Sequence, residues 1–157
     1  MPRLKLWQEF KAHIMYKVVI DANLWISYTI GKKLKSLNIL FSNENIAIIT
    51  SPKIAEEYLD VCSRPNVRKY IKNEENILIT LDLIKTYCVD DPVLIDEPNL
   101  RDAKDLYLLS LAKSNDADFL LTGDSDLLDL GRYNQTEIVS FSKFMAILEG
   151  PLFYANV

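Results

Sequence analysis

The sequence predicts an α/β fold of three layers, helices on either side of a central, mostly parallel sheet. Three observations carry this. Short apolar runs at 17–20, 46–50 and 118–122 alternate with stretches of helical periodicity. Each run is nearly continuous rather than alternating, as expected for strands buried on both faces. Long stretches between the runs leave room for the crossovers that parallel strands need.

Element by element, Lys17-Val-Val-Ile20 reads as the first strand, ending at Asp21. Asp21 or Asn23 can cap a helix that starts with Leu24-Trp25-Ile26. A second helix is predicted over about 32–42, then a strand at Ile46–Thr50. Ser51-Pro52 supplies a cap followed by proline at the first helical position, and that helix ends near Ser63-Arg64-Pro65. Helical patterns follow at about 67–72 and 74–87, and Val93-Leu94-Ile95 reads as a brief strand before a turn at Asp96–Pro98. A helix from about Asp102 to Ser114 leads to the strand Asp118–Thr122, which leaves through Gly123. A short helix at Ser125–Leu130, a last strand at Glu137–Ser140 and a helix from Ser142 to Glu149 close the pattern before Gly150-Pro151.

With 157 residues and 49% apolar content, one domain with a two-sided core is expected. Residues 1–14 read as an N-terminal extension ahead of Met15, with Trp7, Phe10 and Ile14 at helical spacing. Residues 151–157 read as a tail, in which Leu152-Phe153-Tyr154 is expected to dock on the body or on another subunit. No apolar stretch is long enough for a membrane span or a signal peptide, so a cytoplasmic protein is expected.

Composition removes several kinds of chemistry. Cys62 and Cys88 stand apart, and His13 is the one histidine, so a Cys/His zinc site is ruled out by count. The same scarcity disfavours a Ser-His-Asp or Cys-His engine. Four glycines and no Walker or dinucleotide motif exclude the common phosphate cradles. Catalysis must then rest on carboxylates, hydroxyls, amides or lysines.

Net charge is −4, which by itself argues mildly against a nucleic-acid partner. The acid is concentrated, however. Between Asp96 and Asp129 stand nine acidic residues against Arg101, Lys104 and Lys113. Elsewhere the chain is slightly basic, with groups around Lys32-Lys33-x-Lys35 and Arg64…Arg68-Lys69…Lys72 that also read as a solvated charged surface.

Parallel sheets bind ligands beyond the carboxyl ends of their strands. Asp21 ends one strand and Asp124 follows another, so both fall on one rim, although each could serve only as a cap. Glu57 lies at the edge of the apolar face formed by Ile54, Tyr58, Val61 and Cys62, whereas Glu56 shares a row with Lys53 and Asp60 and reads as solvated. Asp105 shares an inward row with Leu109 and Ala112, where a carboxylate needs compensation. A metal ion or a structural partner such as a lysine would supply it equally well. Converging carboxylates without histidine suit a hard divalent ion such as Mg²⁺ or Mn²⁺, which would also let an acidic protein accept an anionic polymer.

The segment Arg101-Asp-Ala-Lys-Asp105 through Asp118-Phe-Leu-Leu-Thr122-Gly-Asp124-Ser-Asp126-Leu-Leu resembles the signature region of PIN-domain proteins. Val18-Val-Ile-Asp21-Ala-Asn23 and Ser51…Glu57-Tyr58…Arg64-Pro65 are similar to the same family, particularly its VapC-like ribonuclease toxins of toxin–antitoxin systems. The likeness runs from about Tyr16 to Ala146. It implies a PIN-like nuclease domain over 15–150. It further implies that Asp21, Glu57, Asp105 and Asp124 form a catalytic, metal-binding tetrad for Mg²⁺ or Mn²⁺, with Asp126 as an accessory ligand and Asn23 and Thr122 in support. Asp102, one turn before Asp105, is an alternative ligand. The implied activity is endoribonuclease cleavage of RNA, with a cognate antitoxin and a homodimer as partners.

Two rivals remain at this stage. A non-catalytic RNA- or protein-binding module would keep the fold without turnover. An aspartate-based phosphatase or receiver domain needs a second acid two residues beyond Asp21, where Asn23 stands, or a late-strand lysine that Glu137–Ser140 lacks.

Overall fold

The computed structural model describes residues 16–31 and 34–149. The expected extension at 1–14, the tail at 151–157, His13, Met15 and Lys32-Lys33 lie outside the described residues. Five strands, β1 (Tyr16–Ile20), β2 (Ile46–Ile49), β3 (Phe119–Leu121), β4 (Arg132–Tyr133) and β5 (Thr136–Val139), form one sheet in the order β2-β1-β3-β5-β4. The four-strand body β2-β1-β3-β5 is parallel, and β4 joins the edge antiparallel. Helices flank the sheet on both faces, giving three α/β/α layers: α1 (Ala22–Ile30), α2 (Leu34–Ser42), α3 (Pro52–Ser63), α4 (Pro65–Arg68), α5 (Glu75–Thr86), α6 (Ala103–Ser114), α7 (Ser125–Leu130) and α8 (Phe141–Glu149). Among the described residues no helix is long and apolar enough to cross a membrane.

The central strands are apolar because both their faces are covered. Val18, Val19, Ile20, Leu120 and Leu121 are fully buried, with Trp25, Tyr58 and Phe144 as the largest enclosed side chains. Helices α1, α3 and α5 pack on one another, and α6 lies against β1 and β3. Local signals start and stop these helices where expected. Ser51 Oγ accepts from the Ile54 amide and Pro52 opens α3. Gly31, at φ 90°, ends α1 in the left-handed conformation that glycine adopts without strain, its N–H meeting the Ser27 and Tyr28 carbonyls.

The structure departs from expectation at three places. Val93–Ile95 is not a strand: Val93 is 88% exposed, and the Ile95 amide donates to the Ser110 hydroxyl on α6 instead of to a neighbouring strand. The chain meets the β2 edge earlier, at the single Thr50–Cys88 bridge, and Pro92 lies in the irregular segment beyond it. Conversely, β4 is absent from the prediction. Two residues carry no periodicity, and the hairpin exists because Gly131 and Asn134 adopt positive φ around it. The helix expected at 67–72 is a single turn that starts at Pro65.

Candidate metal centre

The order β2-β1-β3-β5 places the chain's reversal of direction between β1 and β3: from β1 it crosses to β2 on one side, from β3 to β5 on the other. Such a switch point opens a crevice beyond the strand ends. Ile20 pairs with Leu121, so Asp21 and Thr122 leave the sheet side by side. The candidate carboxylates gather here, in two groups.

The first group is Asp21 with Glu57. Asp21 is fully buried and caps α1, its Oδ1 accepting from the Asn23 amide at 3.4 Å. Its Oδ2 accepts from the Thr122 hydroxyl at 2.8 Å. The Lys104 ammonium lies 3.4 Å from Asp21 Oδ1 and 3.3 Å from Oε1 of Glu57, which is partly exposed on α3. Burial works against the charge on Lys104, but Asp21 and Glu57 outweigh it and hold its pKa above the ordinary lysine value.

The second group is Asp105, Asp124 and Asp126, each offering a carboxylate oxygen within 4.8 Å of the others. Asp124 caps α7: its Oδ1 accepts from the amides of Asp126 and Leu127 at 2.9 and 3.2 Å. Asp126 is exposed at the rim. Asp105, in the first turn of α6, is 4% exposed, and among the described residues no donor reaches its buried Oδ1. Burial, then the charges of Asp124, Asp102 and Asp126, push its pKa up to about 6, against a smaller opposing effect of Lys104. A buried carboxylate oxygen without a donor is expensive to leave so. A divalent ion accepting oxygen ligands is what such a set fits.

Thr122 joins the groups, since its Oγ1 donates to Asp21 and accepts from the Asp124 amide at 3.0 Å. Of the other sequence candidates, Asn23 contributes its backbone N–H while its side chain is exposed. Asp102 is exposed and caps α6 through the Lys104 amide at 2.8 Å, so it shapes the field around Asp105 from outside. Glu56 is exposed, as its helical row indicated. Lys104 is the residue that sequence reasoning missed as part of the site. It stands among the basic residues of an acidic segment, and its place directly before an inward Asp105 is the available signal.

Beside Lys104 and Glu57 opens a groove of about 450 Å³, further lined by Lys53, Glu56, Asp60, Ala103 and Tyr107. Lys53 Nζ sits 4.8 Å from the centre of the Tyr107 ring, and the Tyr107 hydroxyl bonds Asp91, fastening the loop after α5 to this wall. The arrangement is an acidic pocket at a strand-end crevice, with a lysine-bearing groove leading to it.

Comparison with known proteins identifies the family. A PIN domain model matches residues 17–126, a span that contains every acid of both groups. An uncharacterized protein of Methanocaldococcus jannaschii is 36% identical over 130 residues, which is 78% of this chain and 79% of that protein. No solved structure matches. The chain belongs to the PIN domain family, and its fold is that of a nuclease.

Proposed function

We propose that the chain is a metal-dependent endoribonuclease that hydrolyses RNA phosphodiester bonds. The observation that carries this reading is the buried Asp105 Oδ1, which no donor among the described residues reaches, beside Asp124 and Asp126. In this reading Asp21, Glu57, Asp105 and Asp124 are the catalytic acids. Asp105, Asp124 and Asp126 hold Mg²⁺ or Mn²⁺, with Asp21 and Glu57 completing the wall of the site. A divalent ion there supplies Lewis acidity to the scissile phosphate and acidity to an attacking water. Thr122 and the Asn23 amide keep Asp21 oriented, and the amides of Asp126 and Leu127 fix Asp124. The partly buried Lys104 and the exposed Lys53 line the adjacent groove, where they offer positive charge to a phosphate backbone.

The nuclease domain in this proposal covers 15–150, with 1–14 and 151–157 as appended segments. Its biological setting is the toxin of a toxin–antitoxin pair in the cytoplasm, restrained by a cognate antitoxin and acting as a homodimer. That setting rests on likeness to the toxin subgroup alone.

One observation favours a second reading. Lys104 already compensates Asp21 and Glu57, as a structural ion pair in a non-catalytic RNA- or protein-binding module would. The discriminating experiment incubates purified protein with structured RNA and Mn²⁺ or EDTA, comparing wild type, Asp21→Asn and Asp105→Asn. Cleavage that needs metal and disappears in both variants, with circular dichroism unchanged, supports the nuclease. RNA binding without cleavage supports the module, and cleavage retained in both variants removes the site assignment.

A further inference from the structure

We infer that Lys104 is a tethered cation that takes the place of a second metal ion, so that the acidic pocket binds one divalent ion on its Asp105 side. The inference rests on the metal-binding reading above and specifies how that site is filled.

Partnering of the oxygens comes first. Every oxygen of Asp21 has a partner: Oδ1 meets the Lys104 ammonium and the Asn23 amide, and Oδ2 meets the Thr122 hydroxyl. Glu57 Oε1 meets the same ammonium. An ion approaching Asp21 must displace a cation that is covalently attached and therefore present at high effective concentration. On the other side, no donor among the described residues reaches the buried Asp105 Oδ1, and Asp124 and Asp126 each bring a carboxylate oxygen within 4.8 Å of an Asp105 oxygen.

Charge balance points the same way. Asp21 and Glu57 with Lys104 leave one net negative charge, whereas ionised Asp105, Asp124 and Asp126 leave three. One divalent ion on the second group brings both sides to a single negative charge. A further ion beside Asp21, with Lys104 in place, would make that side positive in a buried setting, which is costly. With Lys104 neutral, Asp21 and Glu57 would carry two uncompensated charges and become a second site for a hard cation.

The geometry that permits this comes from two adjacent residues on α6. Successive helical positions point about 100° apart, so Lys104 serves one group and Asp105 the other. Thr122 lies between them and holds both to one frame.

The test is a calorimetric Mn²⁺ titration, with electron paramagnetic resonance on the loaded protein, for the full chain and for Lys104→Met and Lys104→Arg. One ion per chain is expected in wild type and in Lys104→Arg, which keeps the charge. Two are expected in Lys104→Met, with spectra showing coupling between neighbouring Mn²⁺ ions. Two ions in wild type, or one ion in Lys104→Met, overturns the inference. Should Lys104→Met unfold in EDTA, its melting curve is followed against Mn²⁺: recovery complete at two equivalents supports the inference, and at one equivalent overturns it. Absence of Mn²⁺ binding by all three proteins removes the metal reading of the pocket itself. That result is distinct from a single ion in both wild type and Lys104→Met, which removes only the role given to Lys104.

Discussion

The two sides of the acidic pocket are made from the same functional group and differ in what faces them. Around Asp21 and Glu57 stand an ammonium, a hydroxyl and a backbone amide. Around Asp105 stand other carboxylates, and among the described residues no donor reaches its buried Oδ1. The first side is a satisfied structural knot that also borders the site. The second is an electrostatic deficit, stable only because the surrounding packing holds it. Position in a crevice is common to both, so compensation, and not burial, separates an acid that supports the fold from one that waits for a ligand.

Opposite responses to neutralisation follow. Asp105→Asn is expected to weaken Mn²⁺ binding by more than the roughly 10–100-fold typical of lost outer-shell partners, and to abolish cleavage. Without metal the same substitution relieves repulsion and should raise the melting temperature by about 2–4 °C, the shift that 1 kcal/mol gives in a domain of this size. Calorimetry and melting in EDTA check both, and a lowered melting temperature would break the contrast. Asp21→Asn should instead destabilise the metal-free protein by about 1–3 kcal/mol, because it leaves the half-buried Lys104 short of a partner. Urea unfolding measures this, and a gain in stability would show that the first side is not satisfied.

Thr122→Val removes the bond to Asp21 and the acceptor for the Asp124 amide, and should cost roughly 1–2 kcal/mol with about tenfold weaker Mn²⁺ binding. An effect on stability without one on binding would mean that the two sides are not coupled through this hydroxyl. The pH dependence isolates Asp105. Its pKa rises on folding from the ordinary 3.8 to about 6, so the folded chain holds this proton more tightly than the unfolded one. The stability from this group is therefore complete below about pH 3.8, falls as pH rises, and is gone above about 6. The metal-free difference between wild type and Asp105→Asn should show that slope. The smallest effect is expected for Glu56→Gln, within about 0.5 kcal/mol of wild type, since Glu56 is exposed and belongs to neither side.

How much of this was legible in the chain varies with the kind of signal. Buried strands announced themselves through continuous apolar runs, and α3 through Ser51-Pro52. Periodicity separated Glu57 from Glu56 and turned Asp105 inward. The apolar Val93–Ile95 misled, because three β-branched or leucine residues look alike whether or not a sheet edge is there to receive them. The β4 hairpin was invisible, being two residues long and dependent on backbone angles at Gly131 and Asn134.

What the residues determine alone is the inventory and its periodicity: a three-layer fold, one rim for Asp21 and Asp124, an edge position for Glu57, an inward row for Asp105, and too few histidines and cysteines for a Cys/His zinc site. Tertiary structure decided which acid is compensated. That choice depends on a Lys104 ammonium reaching across from α6 to β1 and α3, and on Asp124 and Asp126 closing on Asp105 from beyond β3. Local pattern reports the direction of a side chain, whereas electrostatic balance depends on distances between residues far apart in the chain, and these exist only once the layers have packed.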